Sequence, residues 1–247
     1  MKQLIDFTNR KVIVTGASGG IGQAVSLLLS ELGAQVILIG RNMEHLKRNL
    51  NQMPNNSHKY FVYDLMDLNG IGKLIENIVE YDGKKLDGLV HCAGVSLRLP
   101  IRNLNYENMD VVMKTNFYSF VELVKHYSRK KYNNGGSIVA VSSLAATEGS
   151  VGQTAYAASK AAIDISVKTL SKELFKKNIR INSVRPGFIN TSMLEGLKNK
   201  TGSDLLGQNQ LLGIGEPVDV ANLIIYLLSD ASRFITGANY TIDGGSC

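Results

Sequence analysis

The sequence is poor in the residues that staple a fold from outside its core. Only two of its 247 residues are cysteine, Cys92 inside an apolar run and Cys247 at the last position. No Cys/His spacing suggests a zinc site or a disulfide framework, so no metal is expected and a reducing, cytoplasmic setting fits best. Long apolar runs are also lacking. No stretch approaches the ~18 uninterrupted apolar residues of a membrane span, and the opening MKQLIDFTNR has no signal-peptide core. A soluble protein is expected. No internal repeat, low-complexity tract or flexible linker divides the chain, which is therefore read as a single domain over 1–247. The net charge of +6 comes from scattered Lys and Arg with no aromatic-and-basic module, which argues against a nucleic-acid partner.

What is present is material for a large core, with 44% hydrophobic residues. Short β-branched runs alternate with longer amphipathic stretches, the pattern of βαβ units and of an α/β, doubly wound, mostly parallel sheet covered by helices on both faces. Strands are expected at 11–15, 35–40, 59–62, 88–91, 137–141, 180–184 and 239–242, the first, second, fourth and fifth buried on both sides. Helices are expected near 20–32, 43–52, 67–81, 104–131, 154–177 and 217–229. The segment 191–215, rich in Gly, Asn, Lys and Gln, is the candidate substrate lid.

The first strand runs straight into Thr15-Gly16-Ala17-Ser18-Gly19-Gly20-Ile21-Gly22 and then a helix. An α/β sheet offers backbone N–H groups and a helix N-terminus to a pyrophosphate at this point, and glycine allows both the tight turn and the close approach. The rival reading is an ordinary βα turn. At the end of the second strand Gly40 stands where an acid would accept ribose hydroxyls, and Arg41 follows with a guanidinium able to pair with a 2′-phosphate. That combination favours NADP(H) over NAD(H), unless Arg41 is only a surface charge. Further on, Tyr156 and Lys160 stand four residues apart at the start of an expected helix, on one face, with Ser142-Ser143 at the end of the preceding strand. A phenol with an ordinary pKa near ~10 needs a nearby cation to exchange a proton at neutral pH, and Lys160 is the candidate to supply it.

These motifs, in this order from Thr15 to Gly245, resemble those of the short-chain dehydrogenase/reductase family, whose glycine turn reads T-G-x-x-x-G-x-G. The resemblance implies one Rossmann domain with strand order 3-2-1-4-5-6-7. It implies catalysis by Asn116, Ser143, Tyr156 and Lys160. Ser143, thirteen positions before Tyr156, fits the family interval better than Ser142. Ser143 would donate to the substrate oxygen, Tyr156 would act as acid or base, Lys160 would also hold the nicotinamide ribose, and Asn116 would bend a helix and hold a water beside Lys160. The cofactor would be held by Gly16, Ser18, Gly20, Ile21, Gly22, Arg41, Asp64, Leu65, Ala93 and Gly94, with Tyr156 and Lys160, and by Pro186, Gly187, Ile189 and Thr191 of a P-G-x-x-x-T segment. His91-Cys92 stands where the family carries two asparagines, so their hydrogen bonds must be made otherwise.

Among relatives the chain most resembles the 3-oxoacyl-(acyl-carrier-protein) reductase branch, which implies NADPH-dependent reduction of a carbonyl to a secondary alcohol in fatty acid biosynthesis. A sugar, polyol or steroid alcohol dehydrogenase is the alternative within the family, and a catalytically silent NADP-binding sensor the alternative outside it. Acyl-carrier protein is the implied partner, and the helices at 104–131 and 154–177 resemble those that pair in family homodimers and homotetramers. Basic residues would receive the acidic carrier near the site entrance, with Arg129, Lys130 and Lys131 at one helix end and Lys176 and Lys177 at another.

Overall fold

Period-two alternation along two-sided strands decides the architecture. Val12, Val14, Val36 and Leu38 face one core layer, while Ile13, Ile37 and Ile39 face the other. A sheet that is apolar on both faces must be covered on both.

The computed structural model describes residues 5–54, 56–201 and 207–246. Strands β1 (Lys11–Thr15), β2 (Gln35–Gly40), β3 (Lys59–Val62), β4 (Leu86–His91), β5 (Asn133–Val141), β6 (Ile179–Pro186) and β7 (Asn239–Ile242) form one sheet. Its order is β3-β2-β1-β4-β5-β6-β7, with every pairing parallel. The helices are α1 (Gly20–Glu31), α2 (Met43–Leu50), α3 (Ile71–Glu80), α4 (Tyr106–Met113), α5 (Ser119–Tyr127), α6 (Ala145–Glu148), α7 (Thr154–Leu174), α8 (Ser192–Thr201) and α9 (Pro217–Leu228). Val25 and Leu29 of α1 and Ile224 and Leu228 of α9 fill one layer. Ile75 of α3, Leu123 of α5 and Ile163 of α7 fill the other. This is the doubly wound Rossmann-like domain that the alternation and the family likeness imply.

Several helix bounds move for physical reasons. The stretch expected as one helix over 104–131 begins at Tyr106, where the Asn105 side chain caps the Asn108 N–H. It widens into a π-turn at Lys114–Tyr118, and its last helical residue is Tyr127. Arg129, Lys130 and Lys131 lie in the turn beyond. The helix expected over 67–81 starts at Ile71, because Asp64 and Asp67 organise a turn before it. The helix expected to reach 177 ends at Leu174 and passes into a 3-10 turn, Phe175–Lys177. In the expected lid, Ser192–Thr201 is helical, and 202–206 lie outside the described residues.

The strand order reverses between β1 and β4, and the carboxyl ends of those strands are where such sheets receive ligands. Ile13, fully buried in the central strand, helps hold that edge in place. Ile13→Ala should lower the unfolding free energy by about 2–5 kcal/mol in urea titration. A loss below about 1 kcal/mol would mean that the layer collapses around the missing side chain.

Candidate functional site

At the carboxyl edge of the sheet a cavity of 770 Å³ runs from the end of β2 to the start of α7, a volume in the range of cofactor and substrate sites. The glycine turn forms one wall. Gly16 has φ +65°, and a Cβ there would meet Ala93 N at 2.8 Å, so only glycine lets the turn lie against the chain leaving β4. Ser18, Gly20, Ile21 and Gly22 line the same wall. Gly40 and the exposed Arg41 border the cavity at the end of β2, with Asp64 and Leu65 beside them. The Asp64 Oδ1 also accepts the Met66 N–H at 3.0 Å.

Ala93 and Gly94 form the floor. A Cβ on Gly94 would lie 3.3 Å from both Asn116 Oδ1 and Lys160 Nζ, which leaves the floor open for a flat group above the ammonium. Pro186, Gly187, Ile189 and Thr191 close the opposite side. Ile189 bridges to Gly215, and Thr191 Oγ1 donates to the Ile189 carbonyl at 3.2 Å. These glycine-lined walls suit a dinucleotide, with Gly16, Gly94 and the α1 N-terminus available to its phosphates and ribose.

Ser143, Tyr156 and Lys160 converge at the other end of the cavity. Backbone bonds between neighbouring strand ends fix the serine, since Ser142 N–H donates to Val184 O at 2.8 Å and Leu144 N–H to Pro186 O at 3.0 Å. Burial pushes the Tyr156 phenol up from its ordinary value, and a hydrogen bond with Ser143 opposes that shift. Lys160 Nζ donates to the Val141 carbonyl at 2.8 Å and lies 5.8 Å from the centroid of the Tyr156 ring. Burial lowers its pKa to about 8, against the weaker pull of Cys92 and Asp164. The ammonium is thus anchored on β5 while lying beside the Tyr156 ring, and the Ser143 hydrogen bond adds to what favours the phenolate.

Asn116 does not line the cavity; it is fully buried behind it. Its amide clamps Val95 through the N–H at 2.8 Å and the carbonyl at 3.0 Å, and donates to Ser159 Oγ at 2.9 Å. Asn116 sits in the π-turn. With its amide engaged by protein, the water-holding role implied by resemblance is left to its backbone carbonyl, which already accepts from His91 at 3.1 Å.

Other residues at the site carried no distinct sequence signal. His45, Arg98, Gln153, Met193 and Leu194 line the cavity. Arg98 Nε is buried with no hydrogen-bond partner among the described residues. Cys92 is held up to about 12 by burial and is no nucleophile. Among the described residues no group of His, Cys, Asp and Glu could hold a metal ion, and no helix is long and apolar enough to cross a membrane.

A glycine-walled dinucleotide cleft meeting a serine, a tyrosine and a buried lysine defines a nicotinamide-dependent oxidoreductase. A family model described as enoyl-(acyl carrier protein) reductase matches residues 16–246, and the chain belongs to the short-chain dehydrogenase/reductase family. It is 37% identical over 239 residues to the 3-oxoacyl-(acyl-carrier-protein) reductase FabG of Thermotoga maritima, covering 94% of this chain and 96% of that protein. It is 32% identical to carbonyl reductase family member 4 of Danio rerio, covering 96% and 98%. Among solved structures, a short-chain type dehydrogenase/reductase from Mycobacterium ulcerans matches with a TM-score of 0.89 at 32% identity, covering 98% of this chain and 90% of that one.

The buried lysine sets a testable cost. Its folded pKa of about 8 lies below the ordinary lysine value of 10.5, so the unfolded chain binds more protons between those pH values and stability rises with pH across that window. The penalty is fully present below pH 8 and gone above 10.5. Lys160→Met should therefore be more stable than the wild type in urea titration at pH 7, with the advantage shrinking by pH 10. A constant advantage at both pH values would show that the lysine's charge is not its source.

Proposed function

We propose that this chain reduces a carbonyl to a secondary alcohol with NADPH, and that the substrate is a 3-oxoacyl thioester borne on acyl-carrier protein. The observation that carries the reading is the meeting of the Ser143 and Tyr156 hydroxyls at the end of the cleft, above the Lys160 ammonium. When bound, the reduced nicotinamide supplies the hydride. Ser143 donates to the substrate oxygen and holds it beside Tyr156. The Tyr156 hydroxyl gives its proton to that oxygen as the alcohol forms, and Lys160 offers its ammonium to ribose hydroxyls and favours the resulting phenolate. Pro186, Gly187, Ile189 and Thr191 would hold the nicotinamide end of the cofactor, with the Ile189 backbone and the Thr191 side chain orienting its carboxamide. Asn116 keeps Ser159 and the loop at Val95 in register.

The choice of thioester leans on the Thermotoga maritima relative, and the carbonyl-to-alcohol direction is supported by the Danio rerio one. A sugar, polyol or steroid dehydrogenase is the rival. The chemically complete serine, tyrosine and lysine set weighs against a silent sensor. The basic clusters need a correction of place. Lys177 Nζ donates to Ser128 O at 3.3 Å, so the two groups do lie together. They sit at the C-terminal end of the 21-residue α7, however, roughly 30 Å from Tyr156 at ~1.5 Å per residue, and not at their own subunit's entrance. They would approach a site only in a homodimer or homotetramer whose α7 helices pair antiparallel.

Three measurements test the proposal. Tyr156→Phe should lower kcat by about 10²–10⁴-fold while leaving NADPH affinity near wild type, because it removes the transferable proton alone. Near-normal turnover would exclude Tyr156 as the acid. The cofactor choice rests on Arg41 and on Gly40, where no acid repels a 2′-phosphate. Arg41→Ala should weaken NADPH by about 10- to 100-fold, the scale of one charge-assisted hydrogen bond, with little change for NADH. Equal losses for both would remove the phosphate-pairing role. For the substrate, NADPH oxidation should be faster with a 3-oxoacyl carrier thioester than with sugar or steroid ketones, and the reverse order would favour the rival.

A further inference from the structure

His91 ends β4, at the place where the sequence lacks the family's paired asparagines. Its ring is fully buried and tilted against Phe120, with centroids 5.6 Å apart. Nε2 lies 3.1 Å from the Asn116 carbonyl oxygen. A carbonyl only accepts, so Nε2 carries the proton and donates it. Nδ1 is then the acceptor, and the Thr15 hydroxyl, 3.1 Å away, donates to it. Thr15 Oγ1 in turn accepts from the Ala93 N–H at 3.3 Å. Every polar atom of the ring has one assigned partner. The resulting chain of hydrogen bonds ties the end of β1, the loop after β4 and the π-turn together.

The π-turn has a reason to need this. Ser119 N–H reaches back to the Lys114 carbonyl, the Thr115 carbonyl takes the Ser119 hydroxyl at 2.6 Å, and the Asn116 carbonyl takes His91. Two successive carbonyls of the widened turn are thus met by side-chain donors. From Asn116 the connection continues through its amide to Ser159 Oγ, which donates to the Tyr156 carbonyl at 2.7 Å.

We infer that His91 is a positioning residue for the reaction, fixing the Asn116 carbonyl and, through Asn116 and Ser159, the first two turns of α7, which carry Tyr156 and Lys160. The inference rests on the roles proposed above for that pair. His91 touches neither substrate nor cofactor. It passes no proton onward either, because the atom beyond Nε2 is a carbonyl oxygen.

The test compares His91→Phe, which keeps a ring against Phe120 and loses both hydrogen bonds, with His91→Gln, which keeps one donor and one acceptor. Three quantities are read: kcat against KM with a ketone the wild type reduces, NADPH affinity by fluorescence, and amide hydrogen exchange across 113–120. His91→Phe should lower kcat by at least ~10-fold, the scale expected when reacting groups are misplaced by a fraction of an ångström, with KM and NADPH affinity changed less than about threefold. Exchange across the π-turn should quicken, and His91→Gln should restore both kcat and protection. A folded His91→Phe with wild-type kcat and wild-type exchange would overturn the inference, as would a His91→Gln as impaired as the phenylalanine variant. Should His91→Phe not fold, Thr15→Val and Thr15→Ser serve instead. The valine removes the donor to Nδ1 and should slow kcat and loosen the turn, the serine should restore them, and identical behaviour of both would refute the role. Failure of the proposed function is a separate outcome, seen as turnover surviving in Tyr156→Phe, and the exchange readout does not depend on it.

Discussion

An ammonium enclosed by protein must be answered by oxygen, and the site is organised around that demand at Lys160. Its single hydrogen bond among the described residues goes to the Val141 carbonyl, the last residue of β5. That bond fixes the register of α7 against the sheet and so the place of Tyr156 one turn earlier. It is too little to make the burial costless, which is why the lysine's pKa falls to about 8. A cation held so loosely is ready to share its charge with polar groups brought to the floor of the cleft, where Gly94 leaves the way open. The instability of the lysine and its usefulness have one cause.

The parallel sheet makes this arrangement possible. All seven strands point their carboxyl ends to one edge, so the turns after β1, β4, β5 and β6 meet there although they are far apart in sequence. Three of them are pinned by a backbone bond to a neighbouring strand. Ala17 N–H donates to Ile39 O at 3.2 Å, Leu144 N–H to Pro186 O, and Gly187 N–H to Ile242 O at 3.1 Å. The apolar layers beneath hold the strands at fixed spacing, and the polar edge inherits their precision.

Where sequence alone reached the answer, it did so through signals that local physics dictates. The βα alternation gave the doubly wound sheet, because two-sided burial leaves continuous runs such as QVILIG and SIVAV. The glycine turn and the Tyr156/Lys160 pair stood out because close approach and helical spacing need particular residues at particular intervals. The π-turn was not legible, since KTNFY reads as ordinary helix and the side chain that meets its Asn116 carbonyl lies in β4, twenty-five residues away. The helix α6 escaped because it has only four residues, and α8 because it lies in a stretch rich in Gly, Asn and Lys that reads as a loop. Arg98 gave no signal because its place in the cavity comes from a loop pinned to Gly152 by the Leu99 N–H at 2.8 Å, a contact with no local pattern. The anchoring of Lys160 on the Val141 carbonyl is not legible for the same reason. Spacing on a helix says which face a side chain shares, and the sheet behind decides what it touches.

The same region holds two basic side chains, and only one of them can be charged. Burial foremost, and the Lys160 charge after it, hold the His91 imidazole down to about 3. The Thr15 hydroxyl could accept from Nδ1 as readily as donate to it and still take the Ala93 N–H, so the hydrogen bonds alone would tolerate either state. Neutrality of His91 is thus enforced by burial and by the Lys160 charge. It leaves the charge beside the phenol to Lys160, whose Nζ lies 5.8 Å from the Tyr156 ring centroid. A lysine or arginine at position 91 would meet the same carbonyl at Asn116 but would set a second positive charge against the first. A neutral group with one donor and one acceptor satisfies the turn and the ammonium together.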